Sequence, residues 1–132
     1  MTLGYLADTS VFVAAEQSRP IGDAPEGDAR VSVATVTELM FAVLRAAPGP
    51  LRELREATLA RASTFVAIPY DERVARPLAE LLAAARTSGR RVGAMDAIIA
   101  ATAVAHDLAV WTQDDDLDVL ASLLPTLRVH RT

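Results

Sequence analysis

The chain predicts an α/β fold of three layers: an open, mostly parallel sheet with helices on both faces and a protruding helical hairpin. Two observations carry this. Short apolar runs of strand length alternate with longer segments whose apolar residues recur at helical spacing, the pattern of a parallel sheet covered on both sides. Between two of the helical segments stands Pro48-Gly49-Pro50, a break that turns one helix back along the other.

Taken in order, Leu3–Ala7 reads as a buried strand and Thr9–Gln17 as a short helix that Asp8 or Thr9 can cap. Ser18–Ala29 holds Pro20, Gly22, Pro25 and Gly27 and is a loop. Arg30–Val33 leads into a helix through about Ala46, and Leu51–Ala62 is its amphipathic partner, with Leu51, Leu54 and Leu59 among charges. Thr64–Ile68 is a strand closed by Pro69. Asp71–Ser88 is a long helix stopped by Gly89, expected to start or kink near Pro77. Arg91–Gly93 is a weak strand before the helix Met95–His106. Ala109–Thr112 is a strand, Asp115–Leu123 a helix and Leu127–Val129 a closing strand.

At 132 residues the sequence is expected to form one domain, residues 1–132, with room for a real core. Apolar residues make up 52% of it, yet no run approaches the roughly 20 apolar residues of a membrane span. The opening MTLGYLADTSVF carries an acid and no basic leader, so no secretory signal is expected. The absence of cysteine rules out a disulfide framework and thiolate metal sites, and fits a reducing cytoplasm.

A net charge of −4 argues against a generic basic nucleic-acid binder. The chain has no Lys, however, and its arginines cluster at Arg52, Arg55 and Arg61 and again at Arg86, Arg90 and Arg91. These are either solvated helix faces or forked donors for phosphate. His106 and His130 are the only histidines, suited to surface or capping roles, and no Ser–His or Cys–His arrangement presents itself.

Four acids stand out: Asp8, Glu38, Asp96 and Asp114. Three follow runs read as strands (Leu3–Ala7, Arg91–Met95 and Ala109–Thr112), and an open parallel sheet places its sites at the shared carboxyl edge of its strands. Each of the three could simply cap the helix that follows it. Glu38 lies in the helix VATVTELMFAVL, which has little polar surface, and a carboxylate there is either exposed beside Thr37 or needs a partner. The run Thr112-Gln113-Asp114-Asp115-Asp116-Leu117-Asp118 is favourable in a first helical turn in any case. Asp114 should project first from the strand end and Asp116 from the next turn, with Asp115 and Asp118 facing solvent. Carboxylates brought together in this way need protons or a cation, and a hard divalent metal suits them.

The segments LADTSVF, SVATVTELMFAV, AMDAIIAATAVAHDLAVWT and TQDDDLD, in this order, resemble the PIN-domain ribonucleases, and most of all the VapC-type toxins of bacterial toxin–antitoxin pairs. The matching positions are Asp8-Thr9-Ser10, Thr35 to Leu39, Asp96 to Ala101 and Thr112 to Leu117. Leu117 stands where the family usually has Phe, and Ala42 where a Gly often follows the Glu-Leu pair. Both departures concern packing. The stretch between Ser18 and Arg30 matches nothing.

The resemblance implies a metal-dependent endoribonuclease. Asp8, Asp96 and Asp114 would ligate one or two Mg²⁺ or Mn²⁺ ions, and Glu38 would bind through water or orient them. Water would attack an RNA phosphate in line, leaving 5′-phosphate and 3′-hydroxyl ends. Thr9 and Thr112 would hydrogen-bond the acids, with Asp116 a fifth member of the set. Arg86, Arg90 and Arg91, just upstream of Asp96, would meet the RNA backbone. The target would be a structured RNA such as a transfer or ribosomal RNA loop. Partners would be a small VapB-like antitoxin, lying on the helices Val33–Ala47 and Leu51–Ala62, and a second copy of the chain. Two other classes share parts of this pattern. A catalytically silent PIN-fold binding module would lack metal-linked chemistry. A Mg²⁺-dependent phosphotransfer domain would need a Lys, which the chain does not have.

Overall fold

The computed structural model describes residues 4–132, so Leu3, expected in the first strand, lies outside the described residues. The elements run β1 (Tyr5–Ala7), α1 (Thr9–Glu16), β2 (Ala29–Ser32), α2 (Val33–Leu44), α3 (Pro50–Ala62), β3 (Val66–Ile68), α4 (Glu72–Thr87), α5 (Ala94–Ala105), β4 (Ala109–Thr112), α6 (Asp116–Leu123) and β5 (Val129–Arg131). The strands form one sheet in the order β3-β2-β1-β4-β5, and every pairing is parallel.

Side-chain alternation along the central strands makes the layers. Leu6 of β1 and Val110 of β4 belong to one apolar cluster, with Val74, Leu78 and Leu81 of α4, Ile99 of α5 and Leu117 of α6. Their neighbours Tyr5, Ala7 and Trp111 belong to a second cluster, with Phe12 of α1, Leu39 of α2 and Ala62 of α3. The sheet is thus sandwiched, as the alternation of runs predicts. Among the described residues no helix is long and apolar enough to cross a membrane.

Local chemistry explains most boundaries. Ser32 caps α2 by accepting from the Ala34 amide at 3.0 Å, and Asp71 caps α4 by accepting from the Arg73 amide at 3.0 Å. Gly89 takes φ 67° just past the end of α4, a left-handed position that glycine fills without strain. Pro77 is accommodated inside α4, so the helix starts well before it. α2 and α3 form the expected hairpin, tied by the Arg55 guanidinium donating to the Ala42 carbonyl at 2.8 Å. That hairpin leaves Phe41, Leu44, Leu51 and Leu54 half or more exposed, or nearly so.

Three sequence expectations need correction. Arg91–Gly93 is not a strand; it is irregular chain between Gly89 and α5, exposed at Arg91 and Gly93 and without a strand partner. Ala29–Ser32 is a strand before α2 begins, where Arg30–Val33 was expected to open the helix. Its Val31 is fully buried in the second cluster. The closing strand is Val129–Arg131 rather than Leu127–Val129, because Leu127 is taken up by the core at the end of α6. The remaining differences are shifts of a few residues at element ends.

Candidate active site

From β1 the chain steps through β2 and β3 on one side, then returns to place β4 and β5 on the other. The carboxyl ends of β1 and β4 therefore flank the point where strand order reverses, and a crevice opens there. Asp8 is the first residue beyond β1 and is only 2% exposed. It occupies the N-cap position of α1 yet makes no capping bond. Its Oδ2 instead accepts from Ser10 Oγ at 2.7 Å and from Thr112 Oγ1, at the end of β4, at 2.9 Å. The same two hydroxyls accept from the backbone amides of Gln113, at 2.9 Å, and Asp114, at 3.0 Å. Asp8 is thereby joined to the turn that carries Asp114.

The other two acids come from helices. Glu38 is half-buried on α2, and its Oε1 accepts from Thr9 Oγ1 at 2.6 Å; that hydroxyl also lies 3.0 Å from the buried Thr35 Oγ1. Asp96 projects from the first turn of α5 and so is not a strand-end residue. Asp8, Glu38, Asp96 and Asp114 border one cavity of about 180 Å³, with Thr9, Ser10 and Arg19 between them.

Crowding shows in the acids' proton affinities. Burial pushes the Asp96 carboxyl up to about 6, and the nearby charges of Asp8, Glu38, Asp116 and Asp114 add to the rise. Burial likewise raises Glu38, partly offset by the Thr9 hydrogen bond, with Asp8 and Asp114 pushing the same way as burial. Asp114 is raised by burial and by Asp8 and Asp116, while Arg19 opposes the shift.

The polar atoms facing this cavity are mainly carboxylate and hydroxyl oxygens, a donor set for a hard cation such as Mg²⁺ or Mn²⁺. Among the described residues no three carboxylates or imidazoles stand so as to hold one ion directly. Mg²⁺ takes one or two carboxylates and keeps its waters, so the set fits an ion held directly by two acids and through water by the others.

A second cavity, about 260 Å³, adjoins the first and shares Asp96; Arg91 and Asp116 line it. Asp116 thus borders this neighbour rather than the acidic cavity. Asp115 and Asp118 face outward, and both pair with Arg131 of β5. Arg86 and Arg90 are exposed and line neither cavity. The histidines stand apart: His106 ends α5, and His130 Nε2 lies 3.1 Å from the Asp23 carbonyl.

Two polar residues of the cavity, Ser10 and Arg19, were not singled out in the sequence. Ser10 lay in plain view in the Asp8-Thr9-Ser10 motif, and a second hydroxyl two residues after a strand-end acid is a readable signal. Arg19 lies in the loop after α1, where Nε donates to Gln17 Oε1 at 3.0 Å, and no local pattern marks it.

The model of the PIN domain family matches residues 5–123. Ribonuclease VapC5 of Mycobacterium tuberculosis is 41% identical over 114 residues, covering 86% of this chain and 84% of the relative. Ribonuclease VapC8 of the same organism is 46% identical over 100 residues, covering 74% and 88%. The crystal structure of VapBC-5, a member of the VapBC family of toxin–antitoxin systems from M. tuberculosis, matches with a TM-score of 0.82. There the identity is 35% and the match covers 98% of each chain.

Proposed function

The chain belongs to the PIN domain family and is similar throughout to its VapC ribonucleases, and on that premise we propose that it is a divalent-metal-dependent endoribonuclease toxin restrained by a small VapB-like antitoxin. The observation that carries this reading is the convergence of Asp8, Glu38, Asp96 and Asp114, from four separate elements, on one cavity where burial and neighbouring carboxylates raise the proton affinities of Glu38, Asp96 and Asp114. Such a cluster is poorly balanced alone and is relieved by a bound cation.

Asp8, Asp96 and Asp114 would hold Mg²⁺ or Mn²⁺, two of them directly and the third through water, and Glu38, fixed by Thr9, would also reach it through water. The bound cation supplies charge neutralisation of a phosphodiester and a source of nucleophilic water. Ser10 and Thr112 hold the Asp8 carboxylate in one orientation, and through the amides of Gln113 and Asp114 they set the position of the facing acid. Arg19 offsets the field of the acids at the cavity itself, which an anionic substrate requires of an acidic protein. Among the three arginines expected to meet RNA, Arg91 is the best placed. The antitoxin would cover the exposed Phe41, Leu44, Leu51 and Leu54 of the α2–α3 hairpin, since apolar surface of this kind marks an interface.

The test is to incubate the purified chain and its Asp8→Ala variant with RNA in Mg²⁺, in Mn²⁺ and in chelator. Cleavage by the parent alone, and only with metal, is expected. Metal-independent cleavage, or equal cleavage by the variant, would overturn the assignment. Absence of both cleavage and any metal-induced rise in melting temperature would favour a silent binding module.

A further inference from the structure

The cavity that shares Asp96 with the acidic cluster has a mixed lining. Val92, Val119 and Leu120 are apolar, while Asp96 and Asp116 supply carboxylate oxygens and Arg91 a guanidinium. At about 260 Å³ it lies below the ~300–1,000 Å³ of pockets that enclose drug-sized ligands, so one small flat group fills it. A phosphate placed inside would meet two carboxylates and be repelled. An uncharged nucleobase would find apolar contact in Val92, Val119 and Leu120 and acceptors for its N–H donors in Asp116 and Asp96. Arg91 is exposed and makes no ion pair among the described residues, so its guanidinium is available to stack on the base or take the flanking phosphate. Because Asp96 is common to both cavities, a base seated here belongs to the nucleotide next to the phosphate held at the acids.

We infer that this cavity is the subsite for the nucleobase adjoining the scissile phosphate, and that Val119, Asp116 and Arg91 contribute the choice of cleavage sequence. The inference rests on the nuclease reading of the acidic cavity. It applies equally to any single-stranded stretch of RNA, since structured targets expose unstacked bases in loops.

Val119→Trp fills the cavity from α6, where residue 119 is only half-buried. Gly93→Val fills it from the residue before α5: Gly93 has φ −66°, which any residue adopts, and an added Cβ meets nothing nearer than Asp96 Oδ2 at 3.8 Å. Arg91→Ala removes the cation, and Arg76→Ala on α4, which lines neither cavity, serves as control. Each protein is titrated in Mg²⁺ against a fluorescein-labelled, single-stranded RNA of mixed sequence, its cleavage positions are mapped, and its metal-induced melting shift is recorded. Val119→Trp and Gly93→Val are expected to keep the metal shift, to bind RNA roughly tenfold more weakly and to cleave at altered positions. Arg91→Ala weakens binding similarly, and Arg76→Ala changes nothing. If the parent binds but does not cleave, while the filled variants fail to bind, the cavity stands as a nucleobase-binding site, and the nuclease reading falls together with the cavity's place beside a scissile phosphate. If a filled variant keeps its metal shift and matches the parent in affinity and cleavage positions, the subsite is wrong and the nuclease reading survives. If the parent neither binds nor cleaves, both fall.

Discussion

The two sides of the acidic cavity are built on different principles. On the strand side, Asp8 is buried and its Oδ2 takes two hydroxyl hydrogen bonds, and those hydroxyls in turn hold the backbone leading to Asp114. On the helix side, Asp96 and Glu38 arrive on separate helices, Glu38 has one short bond from Thr9, and Asp96 is crowded by charge. Hydrogen bonds to a charged group are worth about 1.5–3 kcal/mol each and fix direction, whereas like charges close together leave an unfavourable state for a ligand to relieve. One side is preorganised by the protein; the other is where the proposed cation would act.

Substitutions can break this comparison at several levels. Asp8→Ala is the most damaging: metal-dependent RNA cleavage should fall by roughly a hundredfold or more, since even outer partners of a metal site are worth 10–100-fold. Thr112→Val removes one donor to Asp8 and the acceptor for the Asp114 amide, and should lower stability by about 2 kcal/mol in urea unfolding at neutral pH. Thr9→Val, on the helix side, should cost less than about 1 kcal/mol because Glu38 remains partly solvated. Equal effects of the two threonines would contradict the division.

Asp96→Asn acts in the opposite direction. A carboxyl raised from 3.8 to about 6 binds its proton more tightly in the folded state. The stability from this group is thus fully present below about pH 4 and is lost as pH rises towards 6 and beyond. The metal-free parent should lose stability across that window. Asp96→Asn should flatten the loss and be more stable at pH 7 by roughly 1–2 kcal/mol after allowance for solvent. In the parent, Mg²⁺ should raise the melting temperature at pH 7 and do so less at pH 5, where the proton competes; the variant should show a smaller pH dependence, the rest coming from the raised Glu38 and Asp114. The smallest effect belongs to Arg131→Ala. Its pairs with Asp115 and Asp118 are solvent-exposed, so the loss should stay under about 1 kcal/mol and shrink with added salt.

Much of this arrangement can be read from residue order. The run Ala109-Val110-Trp111-Thr112 is apolar, β-prone and followed by acids, and it forms β4 without revision. The helices around Glu38 and Asp96 follow from helical spacing alone. The missed strand Ala29–Ser32 is only four residues long and contains Ala, Arg and Ser, so what makes it a strand is pairing with β1 and β3, which no local pattern records. Arg91–Gly93 fails as a strand for the complementary reason: an arginine, a valine and a glycine before a helix have no tertiary partner that would extend them. Arg19 escapes for a similar cause. Its position at the cavity depends on where the loop after α1 turns, and only the folded chain sets that.

The tie between Ser10 and Thr112 spans 102 residues, and that between Asp8 and Thr112 spans 104. Order of synthesis gives this separation a meaning. A nascent chain that has emerged through α5 already carries Asp8, Glu38 and Asp96, yet β1 has no neighbour on its β4 side and half of the hydroxyl cradle is still unmade. The proposed active site therefore cannot assemble before β4 has been made.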